Sequence, residues 1–184
     1  MARRVRRLFR GGRVIDLGAG HGLLAQMMLL LDDSSPVALV VDKALPASST
    51  KVHAALVQAW PRLAGRVTFV AGSVEGVEVL EADLVVSSHA CGALTDRVLR
   101  RAVAARARVA VLPCCHDLGS GDTGGLSGWV EGPVAIDIVR AMYLTQQGYR
   151  IWTQAIPADI TPKNRLLIGA PVSAGTRSTL YFSA

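Results

Sequence analysis

The sequence predicts an α/β domain built on an open, mostly parallel sheet, and three observations carry that reading. Val14-Ile15-Asp16-Leu17 is a short apolar run holding one acid, and it breaks into glycines at alternate positions, Gly18, Gly20 and Gly22. Short β-branched runs then alternate with longer segments of helical period along the rest of the chain. The 184 residues, 51% of them apolar, suit one domain with a sizeable core.

The elements follow in order. Residues 3–10 place Val5, Leu8 and Phe9 at helical spacing among five arginines. That fits either a short basic amphipathic helix against the domain edge or a phosphate-binding arm. Residues 1–12 are therefore read as a basic N-terminal element and 13–184 as a single domain. The start has no apolar stretch of the kind a secretory signal needs, and the first strand begins too early for a cleavable presequence. After the glycine turn, Leu23 to Leu31 is apolar except for Gln26 and reads as a buried helix. Glycines in such a turn admit positive φ and let a ligand approach the backbone, and the helix behind offers unpaired N–H groups to an anion.

Pro36 to Val41 is a second strand ending at Asp42, about twenty residues past the turn, where an acid can accept two hydrogen bonds from a ribose diol. Ser48, Ser49 and Thr50 offer N-caps for a helix with Val52, Leu56 and Trp60 on one face, stopping before Pro61. Trp60 reads as core and His53 as surface. Arg66 to Ala71 is the third strand, followed by the Gly72-Ser73-Val74 loop, and Gly76 to Leu80 reads as loop or turn. Ala82 to Ser87 is the fourth strand, with Ser88-His89-Ala90-Cys91-Gly92 at its carboxyl end, the side on which open parallel sheets bind ligands. Leu94 to Ala104 is a helix with Leu94, Val98 and Ala102 inward and Asp96, Arg97, Arg100 and Arg101 outward. Arg106 to Leu112 is the fifth strand, ending in Pro113-Cys114-Cys115-His116. Asp117 to Gly132 is glycine-rich without an apolar period, a candidate acceptor-binding lid in which Trp129 either stacks on the acceptor or plugs the loop. Pro133 and Gly148 bracket a helix burying Ile136, Val139 and Tyr143. Tyr149 to Ile156 and Arg165 to Ala170 are the last two strands.

Composition bounds the partners. A formal charge of +6, carried mainly by arginine, favours phosphate-bearing partners such as RNA, with a merely solvated basic surface as the alternative. Aromatics at 5% argue against an extended base-stacking platform. No apolar run is long enough to cross a bilayer, so no membrane partner is expected. Three cysteines, two of them adjacent, make no disulfide framework and point to a reducing, cytoplasmic compartment. The oligomeric state is not specified by the sequence.

All three cysteines and two of the four histidines fall at the ends of the fourth and fifth strands: His89, Cys91, Cys114, Cys115 and His116. Three readings are open. The set supplies enough nitrogen and sulfur ligands for zinc, although it lacks a C-x-x-C spacing, and no metal ligands are assigned. A cysteine activated by a neighbouring histidine makes a nucleophile. A pocket of small polarizable residues with a histidine that positions or deprotonates an acceptor makes a group-transfer site, and this needs the fewest assumptions.

The run Asp16-Leu17-Gly18-Ala19-Gly20-His21-Gly22 resembles motif I of class I S-adenosylmethionine (SAM) methyltransferases, (D/E)-x-G-x-G-x-G. A dinucleotide fingerprint would instead put its third glycine at Leu23. The resemblance implies a Rossmann-like sandwich with a seven-stranded sheet in order 3-2-1-4-5-7-6, strand seven antiparallel. It implies S-adenosyl-L-methionine as cofactor, with Asp16, Gly18, Ala19, Gly20 and Gly22 at the methionine end and Asp42 on the ribose. Ser73, where the superfamily often has Asp, and Val74 would hold the adenine, and Lys43 and Ser88 complete the cofactor set. His89, Cys91 and Ser88 are the expected catalytic residues, His89 as general base.

A closer resemblance rests on Ser88-His89-Ala90-Cys91-Gly92-Ala93-Leu94-Thr95-Asp96, Pro113-Cys114-Cys115-His116 and Thr161-Pro162-Lys163-Asn164. These are similar to a family of methyltransferase domains that includes the one in the glutathione S-transferase C-terminal-domain-containing protein. Eukaryotic tRNA 2′-O-methyltransferases, with K-H-L-C-G-A-A-T-D and a later C-C-H, are similar at His89, Cys91, Gly92, Thr95, Asp96 and Cys114 to His116, but carry Lys at the place of Ser88. The (D/N)-P-P-(Y/F) of amino-methylating enzymes is missing after the fourth strand, while Cys91 or Cys114 imitates the cysteine of ring-carbon methylation. These resemblances imply methyl transfer to structured RNA, rRNA or tRNA. A non-catalytic SAM- or RNA-binding module, or a small-molecule or protein acceptor, is the alternative.

Overall fold

A computed structural model describes residues 1–88 and 90–172. Helix α1 (Ala2–Leu8) leads into strand β1 (Val14–Leu17), helix α2 (Leu23–Leu30), strand β2 (Ala38–Asp42), helix α3 (Ser49–Ala59) and strand β3 (Val67–Ala71). Strand β4 (Leu84–Ser87), helix α4 (Ala93–Ala104), strand β5 (Arg108–Val111), helix α5 (Gly132–Gln146) and strands β6 (Tyr149–Ala155) and β7 (Arg165–Pro171) complete it. The seven strands run in the order β3-β2-β1-β4-β5-β7-β6, with β7 antiparallel to both of its neighbours. This is the expected class I methyltransferase sheet. Because β6 is antiparallel to β7, and β7 to β5, the carboxyl end of β6 lies on the same rim as the carboxyl ends of β1 to β5.

Alternation along the central strands builds the two layers. Ile15 and Leu17 of β1 point into a core with Val98 and Leu99 of α4 and Leu144 of α5. Val14 faces the other side, with Val5 of α1, Met28 and Leu29 of α2, and Val40 of β2. Asp16 shares that second face, and its Oδ2 accepts a hydrogen bond from the Ala25 N–H at 3.1 Å. An acid therefore sits inside the sheet–helix layer where the pattern of β1 calls for an apolar residue.

The basic N-terminal element is a helix with a buried seam. Val5 and Phe9 are in the core, and Arg6 is buried in an ion pair with Asp32 at 2.9 Å while donating to the Met28 carbonyl and the Ser35 hydroxyl. Arg4 donates to the Ala155 carbonyl at the end of β6. Arg3 and Arg7 are left to carry the outward charge of α1.

The structure corrects several local expectations. Trp60 is 45% exposed rather than core, because α3 ends before it and Leu63, in the following turn, fills the fully buried position. His53 is partly buried, its Nδ1 2.9 Å from Oε1 of the buried Gln26. Ser48 does not cap α3; its hydroxyl meets His21 Nε2 at 2.8 Å and ties the glycine turn to the loop after β2. The α2 helix is buried on one side only, with Leu23 and Met27 in solvent. Strand β5 starts at Arg108 because Arg106 adopts a positive φ of 52° in the turn after α4. Trp129 plugs nothing: it is 88% exposed.

Candidate active site

Hydrogen bonding past the strand ends shapes the carboxyl rim. Gly18 and Ala19 both donate to the Val41 carbonyl, at 2.9 and 3.1 Å, so the glycine turn leaves β1 across the end of β2. Gly22 then N-caps α2 at φ 70°, and a Cβ there would meet Val40 at 2.7 Å. Only glycine lets the helix start this close to the sheet. Gly20, at φ 54°, has nothing within 4 Å of the space a Cβ would fill, so its backbone faces an open cavity.

That cavity has a volume of about 460 Å³ and is lined by Gly18, Gly20, Asp42 and Lys43 together with Val41, Gly72, Val74, Glu75, Cys91, Leu94 and Arg97. Its size suits a small ligand. The Asp42 carboxylate is fixed from two sides, Oδ2 by the Gly20 N–H at 2.8 Å and Oδ1 by the Ala44 N–H at 3.2 Å. Each oxygen keeps a lone pair for a further donor. Of the residues the sequence nominates, Gly18, Gly20, Asp42, Lys43, Val74 and Cys91 meet around this one space. Ala19, Gly22, Ser73 and Ser88 lie outside its lining, and Asp16 lies beneath it. His89 lies outside the described residues.

Asp16 is buried, and its Oδ1 has no hydrogen-bond partner. Burial, with a smaller contribution from the Asp42 charge, pushes its carboxyl up to about 7, against the bond from Ala25. Between the ordinary carboxylate value and 7 the folded state holds a proton that the unfolded chain has lost. Stability is therefore whole at pH 4 and falls as pH rises through 7. Asp16→Asn keeps an acceptor for Ala25 and removes the titration. It is expected to stabilise the ligand-free protein at pH 8 by at most about 4 kcal/mol, with the gap closing at pH 4. Urea midpoints of both proteins at the two pH values check this, and an equal difference at both contradicts it.

Four lining residues, Val41, Gly72, Glu75 and Leu94, were not singled out from the sequence as site residues, and Arg97 was misplaced. Val41 and Leu94 supply apolar wall. Glu75 and Arg97 pair at 3.2 Å across the rim, although the helical period put Arg97 outward. The Glu75 carboxylate is held below its usual range by its own backbone N–H, then by the Ser73 hydroxyl and Arg97. Asp96 and Arg101, also expected in solvent, are likewise engaged. Arg101 donates to the Val77 carbonyl, and Asp96 receives a bidentate bond from buried Arg140 at 2.7 and 3.2 Å.

The Thr95-Asp96 pair thereby acquires a physical role. Thr95 is buried and donates to the Ala90 carbonyl, while Arg140 also donates to the Gly92 carbonyl at 3.0 Å and to Asp137 at 3.2 Å. Asp137 accepts from His116 Nε2 at 2.8 Å and from Arg165 at 2.7 Å. The Gly92 N–H reaches the Cys115 carbonyl at 2.9 Å. One network clamps the loop after β4 to the loop after β5.

The clamp brings the Cys91, Cys114 and Cys115 sulfurs within 4.8 Å of one another, with Cys91 and Cys114 at 2.9 Å. The hydrogen bond shared with Cys114, then burial and Cys115, push the Cys91 thiol up to about 12. A thiolate nucleophile needs the opposite shift.

A second cavity of about 320 Å³ lies between α5 and the ends of β5 and β6, lined by Pro113, Val134, Ile138, Ala155 and Arg165 among others. Arg4, Arg7, Leu8, Gln154 and Ala155 line a further basic groove at the carboxyl end of β6. Among the described residues no helix is long and apolar enough to cross a membrane.

Comparison with known proteins places this geometry. A family model described as a methyltransferase domain matches residues 3–120. No curated protein sequence matches the chain. Among solved structures, an O-methyltransferase family protein from Burkholderia thailandensis is similar at 19% identity and a TM-score of 0.57, over 89% of this chain and 52% of that one. This chain thus spans about half the length of that protein. TrmK from M. capricolum, in complex with S-adenosyl-homocysteine, is similar at 14% identity and a TM-score of 0.60, over 92% of this chain and 66% of that one. A candidate rRNA methylase from Clostridium thermocellum is similar at 12% identity and a TM-score of 0.63, over 94% of each chain.

Proposed function

Because the chain belongs to a family of methyltransferase domains, we propose that it binds SAM in the cavity at the carboxyl ends of β1, β2 and β4 and transfers the methyl group to structured RNA. The observation that carries the cofactor is the pairing of Gly20, open above its Cα, with an Asp42 carboxylate held by the same turn. The residues fit the ligand's chemistry. Asp42 takes the ribose diol, and Val41, Val74 and Leu94 offer an apolar slot for the base, with Ser73 at its edge. The turn from Gly18 to Gly22, with Ala19, presents the N-terminus of α2 to the methionine carboxylate, and the orphaned oxygen of Asp16 below the turn can receive the amino group directly or through water. Lys43 and Ser88 complete the rim. Bound SAM supplies an electrophilic methyl on a sulfonium, so the protein's remaining tasks are to align the acceptor and remove its proton. His89, which follows Ser88 at the end of β4, is assigned the proton, and Cys91 the wall beside it.

Support for an RNA acceptor is electrostatic. The net charge of +6 is carried mainly by arginines, and many of these are committed to ion pairs within the chain, as Arg6, Arg13, Arg140 and Arg165 are. Arg7 at the carboxyl rim, with Arg4 bonded to the Ala155 carbonyl next to it, flanks the groove at the end of β6 and can meet phosphates. The similar fold of the candidate rRNA methylase points the same way. Within this reading, α1 is a basic docking element on a single domain that works in the cytoplasm. The closer likeness to the H-A-C-G…T-D and P-C-C methyltransferase domains, and then to the tRNA 2′-O enzymes, supplies tRNA as the first substrate to try. Incubation with methyl-labelled SAM, followed by counting of RNA, protein and small-molecule fractions, tests the proposal. Label in RNA is expected; label confined to protein or small molecules overturns the acceptor, and no label in any fraction leaves a non-catalytic module.

A further inference from the structure

The fold gathers all three cysteines of the chain at one point. Strands β4 and β5 are parallel neighbours in register, Ser87 opposite Val111, so the segments leaving them run side by side. Cys91 stands four residues past Ser87, and Cys114 and Cys115 stand three and four past Val111. The Gly92 N–H to Cys115 carbonyl bond and the Asp96–Arg140 clamp hold the two segments together. As a result the three sulfurs lie within 4.8 Å of one another, and none is in a disulfide.

We propose that Cys91, Cys114 and Cys115 form a three-thiolate site for a zinc-class divalent ion at the wall of the cofactor cavity. Sulfurs around a tetrahedral zinc lie about 2.3 Å from the ion and so about 3.8 Å from each other. With all three sulfurs within 4.8 Å of one another the trio is compact enough to surround such a point, Cys91 and Cys114 separating from 2.9 Å by under an ångström. A disulfide would use two thiols and gives no reason for the third to join them. Each ligating thiol gives up its proton to solvent, so binding releases protons and strengthens as pH rises. The chain provides a second feature of zinc sites next to the thiols. His116 has its Nε2 held by the Asp137 carboxylate, and its Nδ1 is buried without a partner, the arrangement carboxylates give to ligating imidazoles. Three thiolates leave the fourth tetrahedral position for an outside ligand, and Cys91 shares its surface with the cavity. This site stands independently of the methyl-transfer reading.

The test is a titration of the reduced, metal-free protein with Co²⁺, whose thiolate charge-transfer bands in the near ultraviolet report sulfur ligation, followed by displacement with Zn²⁺. One ion per chain is expected, with the bands lost in Cys91→Ser and in Cys115→Ser, each checked by circular dichroism for the wild-type fold. Cys115→Ser guards against a Cys91 effect that arises only from the cavity wall. Absence of the bands in the wild type, or bands that survive both substitutions, overturns the proposal. So does a reduced protein that takes no metal but loses two hydrogens on mild oxidation, which would make Cys91 and Cys114 a redox pair. SAM binding, measured separately by calorimetry on the metal-free protein, keeps the fate of this site distinct from that of the cofactor assignment.

Discussion

Arg140→Ala is expected to destabilise the protein by about 3–5 kcal/mol, the scale for removing one partner of a buried ion pair. The guanidinium is 4% exposed and joins Asp96, Asp137 and the Gly92 carbonyl. Without it, the Asp96 carboxylate faces a half-buried site with no counter-charge, and Asp137 keeps only His116 and Arg165. Arg140→Lys retains the charge but not the planar fork, so an intermediate loss is expected. Urea unfolding measures both. Damage should begin at the clamp: hydrogen exchange at Gly92, whose N–H is bonded to the Cys115 carbonyl, should accelerate ahead of global unfolding. A loss below about 1 kcal/mol for Arg140→Ala would place the network among exposed ion pairs of little consequence.

His89→Ala is expected to lower methyl-transfer turnover by about 10²–10⁴-fold, the usual scale for losing a general base. His89 follows Ser88 in the chain, two residues past the last residue of β4, and an imidazole takes a proton near neutral pH. As a base it acts on kcat and gives the pH–rate profile an acidic limb. The substitution should remove that limb while leaving SAM affinity near wild type. A structural histidine would instead alter the unfolding midpoint and leave the shape of the profile intact. Full activity in the variant removes His89 from the mechanism.

The fold was legible because its signals are local. A buried strand, a turn that tolerates only glycine, and an acid at the next strand end are each written in a few consecutive residues, and Asp42 stands where that pattern put it. Contacts that depend on tertiary neighbours were not legible. Helical period assigned Asp96, Arg97 and Arg101 to solvent, since it marks the face opposite Val98 and Ala102 and knows nothing of α5 or of the loop after β3. Those neighbours capture all three. The apolar size of Trp60 suggested core, but the helix ends one residue short of carrying it inward, and Leu63 takes the place. The Thr95-Asp96 pair could be matched as a signature from sequence, while its function as a clamp needs Arg140, 44 residues further on. The convergence of three thiols had the same obstacle: adjacent cysteines are poor candidates for one site until the register of β4 and β5 brings Cys91 beside them.

The most direct test of the central claim is calorimetric titration of SAM into the protein and into Asp42→Ala. One site per chain is expected. The substitution removes a hydrogen-bonding carboxylate worth about 1.5–3 kcal/mol per charged bond and frees the Gly20 N–H it anchors, so affinity should fall roughly 100-fold. NAD, titrated in the same way, should bind far more weakly. Tighter binding of NAD than of SAM, or unchanged SAM affinity in Asp42→Ala, would contradict the assignment of this cavity.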